Sequence, residues 1–297
     1  MLRFILAFCW AVVLPSLLIE QGAQQEKDRQ AEEHFKRGNA HGERNDFDGA
    51  IAEFSKAIQL RPKYALAYYQ RGHAHVLKGQ NGQAIADFTE VLRIEPNKAG
   101  AYLARGRAYC EKKEYGAGIK DITEAVRLNP NDTWAYEARG WAHRNVGEYA
   151  KAMADYDRAI QLDPENASAL YNRGGLYGLK GEFAKAVADL KEAIRLAPRL
   201  AGPYKDLAWI WAACPDGKHR DGKRAIEYAL KACELSAWKD VKCYGTLAAA
   251  YAEQGQFEEA IKVATRGLTI ASEEEKSLLR SNIGLYRSGR PLRMPRP

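Results

Sequence analysis

Residues 131–164 read NDTWAYEARGWAHRNVGEYAKAMADYDRAIQLDP and end on a proline that recurs along the chain at intervals of 34 residues. The five prolines of this series are Pro62, Pro96, Pro130, Pro164 and Pro198. A glycine stands 24 positions before each of them and a small residue stands 12 positions before. A constant period of this length is typical of solenoids, in which one supersecondary unit is repeated and stacked.

Each repeat contains two helix patterns. Apolar residues recur at three- and four-residue spacing in both halves, which predicts an amphipathic helix in each half. Pairs such as Gly147-Glu148 mark the turn between the halves, and the proline ends the second helix. One such hairpin cannot bury its apolar face alone, so we expect neighbouring hairpins to stack.

This pattern resembles the tetratricopeptide repeat (TPR) family. The matching residues in the quoted copy are Tyr136, Gly140, Tyr149, Ala152, Tyr156, Ala159 and Pro164. Two looser copies follow, and the segment from Leu207-Ala208-Trp209 to Arg220-Asp221-Gly222 is similar to the C-terminal end of bacterial multi-repeat TPR proteins. The resemblance implies an all-α fold, namely a right-handed α-solenoid of about seven TPR hairpins with a C-terminal capping helix.

The predicted segments follow the chain in order. We expect a signal peptide or membrane anchor over residues 1–23, a linker over 24–30 and five regular repeats over 31–198. A sixth repeat with an extended inter-helix loop is predicted over 199–240, a seventh repeat over 241–272, and a capping helix with a basic tail over 273–297.

The N-terminal segment has the composition of an export signal. Arg3 precedes sixteen uncharged residues, 4–19. As a helix this run would be about 24 Å long, which is short for a hydrocarbon core of about 30 Å. We therefore expect a cleaved signal peptide ending at Ala23 and a periplasmic or secreted protein. The alternative is an uncleaved anchor that holds the protein at the membrane by residues 4–19.

Composition excludes a generally disordered protein and shows where the positive charge lies. The 297 residues are 46% apolar, with 45 Lys and Arg against 38 Asp and Glu, which excludes general disorder. The net charge of +7 is concentrated near the C-terminus, at Arg287, Arg290, Arg293 and Arg296. We expect this tail to be solvated; docking to anionic lipid or to an acidic partner is the alternative.

Charged residues also follow the repeat. An arginine precedes each repeat glycine, and a carboxylate stands 16 residues after each arginine. The pairs are Arg37 and Glu53, Arg71 and Asp87, Arg105 and Asp121, Arg139 and Asp155, and Arg173 and Asp189. We predict a ladder of ion pairs between the two helices of each hairpin, each worth about 0–1 kcal/mol if exposed.

The resemblance also implies a binding surface, because the first helix of each TPR unit lines a concave groove. The candidate peptide-binding residues on these helices are Tyr69, His73, Arg107, Trp134, Trp141, Arg144, Tyr171, Lys205 and Trp209. Aromatic anchors beside arginine are typical of binding hot spots. We therefore predict a protein or peptide ligand with apolar anchors and an acidic group. The alternative is that the tryptophans pack between repeats.

No motif for catalysis is present: the sequence has no Walker glycine loop, no HExxH and no nucleophile elbow. We predict a non-catalytic interaction scaffold without cofactor, metal or small-molecule substrate, which meets membranes only through its N-terminus and does not bind nucleic acid. The alternatives are a membrane-anchored envelope assembly component, a nucleic-acid-binding solenoid, and an enzyme built on the loop at 214–222.

Four cysteines follow the N-terminal segment. Cys233 and Cys243 flank a short connection near Trp238, so their side chains could face each other. The sequence leaves two possibilities open for this pair, a disulfide or two small core residues.

Overall fold

The computed structural model of the protein describes residues 2–295, and the side chains of residues 22–295. The all-α fold is confirmed, since the described residues form helices joined by short connections and contain no strand. The chain divides into two compact units, Met1–Val146 and Gly147–Pro297. The boundary falls in the turn between the two helices of the fourth repeat.

The first unit is a stack of helices in which each helix packs against the next. The helices of its described residues are α1 Leu2–Glu43, α2 Phe47–Leu60, α3 Ala65–Leu77, α4 Asn81–Ile94, α5 Ala99–Glu111, α6 Tyr115–Leu128 and α7 Thr133–Asn145. Contacts also join α1 to α3, α3 to α5 and α5 to α7. The odd-numbered helices of this unit, which begin each repeat, therefore form one continuous layer.

The second unit is built in the same way and ends with a helix that is not part of a hairpin. Its helices are α8 Tyr149–Leu162, α9 Ala167–Leu179, α10 Phe183–Leu196, α11 Ala201–Ala213, α12 Gly222–Leu235, α13 Val241–Glu253, α14 Phe257–Gly267 and α15 Glu273–Arg287. A short 3₁₀ turn, Gly217–His219, lies in the loop between α11 and α12. The final helix, α15, packs against α13 and α14.

Repeated small and bulky residues make the hairpins close. Ala84 and Phe88 of α4 are fully buried, as expected from their places in the period. A Cβ atom added to Gly72 of α3 would lie only 2.7 Å from the Phe88 ring. The glycine therefore gives the phenylalanine the space that a larger residue would fill, and this is why the two residue types recur together.

The segment 24–30 differs from the sequence prediction, because it is part of α1 and not a linker. Arg29 lies 2.7 Å from Glu26 and 3.0 Å from Glu33, and Gln24 donates to Asp28 at 3.2 Å. Pairs at these spacings favour a helix. The predicted signal peptide falls mostly on residues whose side chains lie outside the described part. Within the described part of the chain, none of the helices combines the length and the apolar character that a membrane span needs.

The ion-pair ladder is confirmed for four of its five pairs. The distances are 3.2 Å for Arg37 and Glu53, 2.6 Å for Arg71 and Asp87, 2.7 Å for Arg105 and Asp121, and 2.7 Å for Arg173 and Asp189. Arg139 and Asp155 belong to different units, and their pair stays a prediction. The four carboxylates are buried, and three of the arginines are largely buried as well, whereas Arg37 is exposed. The three inner pairs are therefore not the exposed kind that contributes little.

Three arginines of the ladder also reach back to the preceding repeat. The Nη1 atom of Arg71 donates to Ser55 at 2.9 Å, that of Arg105 to Thr89 at 3.1 Å, and that of Arg173 to Asp157 at 2.9 Å. Each acceptor precedes its arginine by 16 residues, the spacing that separates the arginine from its ladder carboxylate. These arginines therefore tie the second helix of one repeat to both helices of the next.

The sequence predicted a solvated basic tail, and this prediction is wrong. The tail is bound to the second unit as far as Met294. Arg293 lies 2.6 Å from Glu253, and the Met294 amide donates to the Ala213 carbonyl at 2.8 Å. Leu292 and Met294 also pack against the unit's apolar core. The buried Glu253 carboxylate, which Arg220 contacts at 3.0 Å as well, gives the tail a charged partner. Arg296 lies outside the described residues.

Candidate peptide-binding surfaces

His73 lies between two cavities of the first unit. A cavity of about 450 Å³ is formed by α1, α2 and α3, and one of about 380 Å³ by α3, α4 and α5. His73 lines both, and Arg107 lines the second. Two of the predicted binding residues therefore face one depression along the first helices of consecutive repeats.

The imidazole of His73 is held neutral by its surroundings. Its ring packs edge-on against Tyr69 at 4.5 Å and Phe88 at 5.3 Å between centroids. Burial lowers the pKa of His73, and the positive charge of Arg107 lowers it further. Because Arg107 itself is exposed, it is the cation that a ligand in this cavity meets at neutral pH.

Tyr69 and Tyr171 occupy equivalent places in their repeats and rest on glycines of the following first helix. A Cβ atom on Gly100 would lie 3.2 Å from the Tyr69 hydroxyl, and one on Gly202 would lie 2.8 Å from the Tyr171 ring. This pairing was not predicted from the sequence, although the tyrosine and the glycine recur at the same spacing. Both tyrosines are half-buried and help to shape the layer of first helices.

Trp134, Trp141 and Arg144 all lie on α7, at the end of the first unit. The Trp134 side chain is 65% exposed. Trp141 is half-buried and packs edge-on against Tyr115 of α6, with 5.9 Å between ring centroids. Arg144 is half-buried and has interaction partners. On α7, Trp134 is therefore open to a ligand, while Trp141 packs on the preceding repeat.

A cavity of about 320 Å³ lies in the second unit between α11, α13 and α15. Lys205 and Trp209, both predicted as binding residues, line it from α11. Val241 and Leu279 extend its apolar wall, and Leu278 of α15 lies beside them with 65% of its surface exposed. Leu278 belongs to the capping helix itself, whose Leu279 and Ile283 are buried.

Charges around this cavity are balanced. Burial acts to lower the pKa of Lys205, but Asp206 and Asp240 outweigh it and raise the pKa, so the lysine stays protonated. Its Nζ atom donates to Asp240 at 3.4 Å. On the opposite wall, hydrogen bonds from the Ser272 backbone and hydroxyl lower the pKa of Glu275. Because Lys242 also lines the cavity, two lysines and two acids, Asp206 and Glu275, balance each other around its apolar surface.

Two polar residues belong to the same cavity. Thr246 and Asn282 line it and are more than nine-tenths buried. Neither side chain hydrogen-bonds to another residue in the described part of the chain. Their hydroxyl and amide groups therefore offer hydrogen-bonding partners to a ligand in this cavity. Sequence reasoning missed Asn282 because it lies in α15, outside the 34-residue period.

Stacked helical hairpins whose first helices form one layer define the class of helical repeat proteins. Comparison with known families identifies which repeat family this chain belongs to. Models described as TPR repeat or tetratricopeptide repeat match residues 38–79, 140–181, 69–133, 167–200 and 241–273. Together the matches cover more than half of the chain. The chain belongs to the tetratricopeptide repeat family, as the resemblance in its sequence indicated.

Solved structures of TPR proteins are similar to this one. A structure of MamA is 26% identical over 55% of this chain and 95% of its own, with a TM-score of 0.51. YrrB, described as a TPR protein with an unusual peptide-binding site, is 27% identical over 62% of this chain and 94% of its own, also at 0.51. A TPR protein from Parabacteroides merdae shares 15% identity and the fold alone, covering 87% of this chain and 99% of its own at 0.61. No curated protein matches the chain significantly.

Proposed function

We propose that this protein is a non-catalytic scaffold that binds a peptide or protein segment along the first helices of its repeats. The observation that carries the proposal is the apolar cavity between α11, α13 and α15, with the exposed Leu278 beside it. Membership of the TPR family supports a role in protein interaction, and YrrB is a similar protein described by its peptide-binding site.

The cavity of the second unit suits an apolar anchor side chain of the ligand. At about 320 Å³ it lies at the small end of ligand pockets, which are about 300–1,000 Å³. Trp209 and Leu278 would contact the anchor. The Asn282 amide can both donate and accept, so it is suited to the N–H and C=O groups of a peptide backbone.

In the first unit, taken by itself, Arg107 is the proposed partner of an acidic group on a peptide bound there. This arginine is exposed, and no carboxylate of the described residues pairs with it. The neighbouring His73 is neutral at pH 7, so the guanidinium supplies the positive charge of that cavity. An exposed pair of this kind contributes about 0–1 kcal/mol, which makes Arg107 a source of specificity more than of affinity.

Binding of selected peptides tests the proposal. Peptides chosen from a random library on the full-length protein are expected to bind Trp209→Ala and Leu278→Ser at least about tenfold more weakly, because a central apolar contact is worth about 1.4 kcal/mol or more. Ile270→Ser is the matched control, since Ile270 is an exposed apolar residue outside the cavity. Fluorescence anisotropy gives the dissociation constants. Equal affinity of all three variants and the unaltered protein would refute the site.

We also propose that the protein is exported, with residues 1–23 removed as a signal peptide. The support is the uncharged run 4–19 after Arg3 and the small residue Ala23 before the first charged helix segment. Export would place the binding surfaces in the periplasm or outside the cell.

A further inference from the structure

The connection between α12 and α13 has an unusual backbone. α12 ends at Leu235 and α13 begins at Val241. Between them, Ala237 and Trp238 adopt φ angles of +50° and +61°. The left-handed region is rarely adopted by residues with side chains, and two in succession, one of them a tryptophan, need support from the surrounding structure.

That support comes from Cys233, Ser236 and Tyr244. The Trp238 amide donates to the Cys233 carbonyl at 2.8 Å, and the Tyr244 hydroxyl donates to the Trp238 carbonyl at 3.2 Å. The Ser236 hydroxyl lies 3.0 Å from the Cys233 carbonyl and 3.7 Å from the Cys243 sulfur. The turn is therefore held by bonds that converge on its two flanking cysteines.

The two cysteines lie side by side in the core beneath this turn. Cys233 and Cys243 are fully buried in one cluster, and the Ser236 hydroxyl contacts both the Cys233 carbonyl and the Cys243 sulfur. The interaction of each thiol with the other raises the pKa of Cys233 and lowers the pKa of Cys243, which makes Cys243 the more readily ionised of the two. Cys110 and Cys214 lie in other clusters, so neither competes for this contact.

We propose that Cys233 and Cys243 form a disulfide that joins α12 to α13 across the left-handed turn when the protein meets a disulfide oxidant. The Cys243 thiolate attacks one sulfur of the oxidant, for example oxidised glutathione, and releases one thiolate. The Cys233 thiolate then attacks the Cys243 sulfur of the mixed disulfide and releases the second. Two cysteine thiols are oxidised, the oxidant is reduced to two thiols, and the two protons pass to solvent or to the leaving thiolates.

Burial of both sulfurs decides when this exchange can occur. A disulfide oxidant cannot reach them in the closed structure, so the bond forms during folding or through local opening of the turn. Once formed, the bridge restrains the turn covalently. Cys243 also donates to Asp240 at 3.5 Å, and Asp240 pairs with Lys205 of the α11–α13–α15 cavity. The bridge therefore lies one contact away from the cavity rim, although the proposal does not depend on peptide binding there.

Mass spectrometry of the wild-type full chain tests the proposal without any variant. The protein is refolded in a buffer of oxidised and reduced glutathione, remaining thiols are alkylated, and peptides are mapped without reduction. The expected product is a linked pair of peptides that contain Cys233 and Cys243, lighter by two hydrogen atoms than the separate peptides. Alkylation of both cysteines, or a link from either one to another cysteine or another molecule, would overturn the proposal.

A second measurement uses the full chain with Cys9→Ala, Cys110→Ala and Cys214→Ala. Its midpoint of thermal unfolding is expected to be about 5 °C higher after oxidation than after reduction, because the bridge restricts the unfolded chain. The matched control adds Cys243→Ala, which removes the bridge and should abolish the difference. The same shift in both proteins would also overturn the proposal.

Discussion

Glu53 shows how a single residue of the repeat is adapted to its place. Its buried carboxylate lies 2.7 Å from His34, 2.6 Å from Lys56 and 3.2 Å from Arg37. Burial acts to raise the pKa of Glu53, but the hydrogen bonds from Lys56 and His34 outweigh it and bring the pKa to about 2. The sequence predicted the arginine from the period, but not the histidine or the lysine, which do not recur.

Glu53→Gln is expected to destabilise the protein by about 2 kcal/mol at pH 7, because the charged form is favoured in the folded state. The pKa is lower in the folded than in the unfolded chain, where it is near 4.5. The stabilisation is therefore complete above pH 4.5 and is lost as the pH falls towards 2. Urea unfolding of both proteins between pH 7 and pH 3 measures this difference.

The control for this prediction is Glu26→Gln. Glu26 also has a pKa lowered to about 2, by hydrogen bonds from Arg29 and Gln30, but it lies on the exposed surface of α1. Solvent screens that interaction, so its loss should cost clearly less. A difference between Glu53→Gln and the unaltered protein that stays constant with pH would contradict the role assigned to Glu53.

Among the structural elements, the hairpins were predictable and the C-terminal tail was not. Within a hairpin, the same residue types return every 34 positions, so the Arg71 and Asp87 pair could be inferred from spacing alone. The tail has no periodic counterpart. Its position depends on Glu253, which is partly buried beside Arg220 only in the folded second unit and there accepts the charge of Arg293.

Deleting residues 291–297 is expected to destabilise the second unit by about 2 kcal/mol. The deletion removes the half-buried Leu292 and Met294, each worth somewhat less than a fully buried side chain, and the Arg293 contact to Glu253. Differential scanning calorimetry measures the loss as a lower unfolding midpoint.

Arg290→Ala serves as the control for the deletion, since Arg290 bonds only to Ser288 among the side chains described and does not contact Glu253. If the deleted protein unfolds at the same temperature as this control, the contacts of the tail do not contribute to stability.

At the scale of the whole molecule, the period also determined which part of the candidate site could be foreseen. It identified the first helices and thereby Lys205 and Trp209, which do line a cavity. It could not identify Leu278 or Asn282, because α15 follows the last repeat and its facing residues depend on how it packs against α13.

Export makes a prediction for the whole chain. N-terminal sequencing of the protein purified from its native source is expected to begin at Gln24, since cleavage after Ala23 would remove the apolar run. The periplasmic or secreted fraction should contain this form. Recovery of the chain starting at Met1 from the membrane fraction would instead favour the uncleaved anchor.

The arginines that reach back by 16 residues have a consequence for how such a chain can change in length. Arg105 needs an acceptor such as Thr89 from the copy before it and a carboxylate such as Asp121 from its own copy. A duplicated stretch of 34 residues brings a new arginine, a new carboxylate and a new acceptor together. Each charged group therefore has a partner wherever the copy is inserted. Insertion of whole copies therefore keeps all ion pairs complete. Gain or loss of part of a copy would leave a buried charged side chain without its partner.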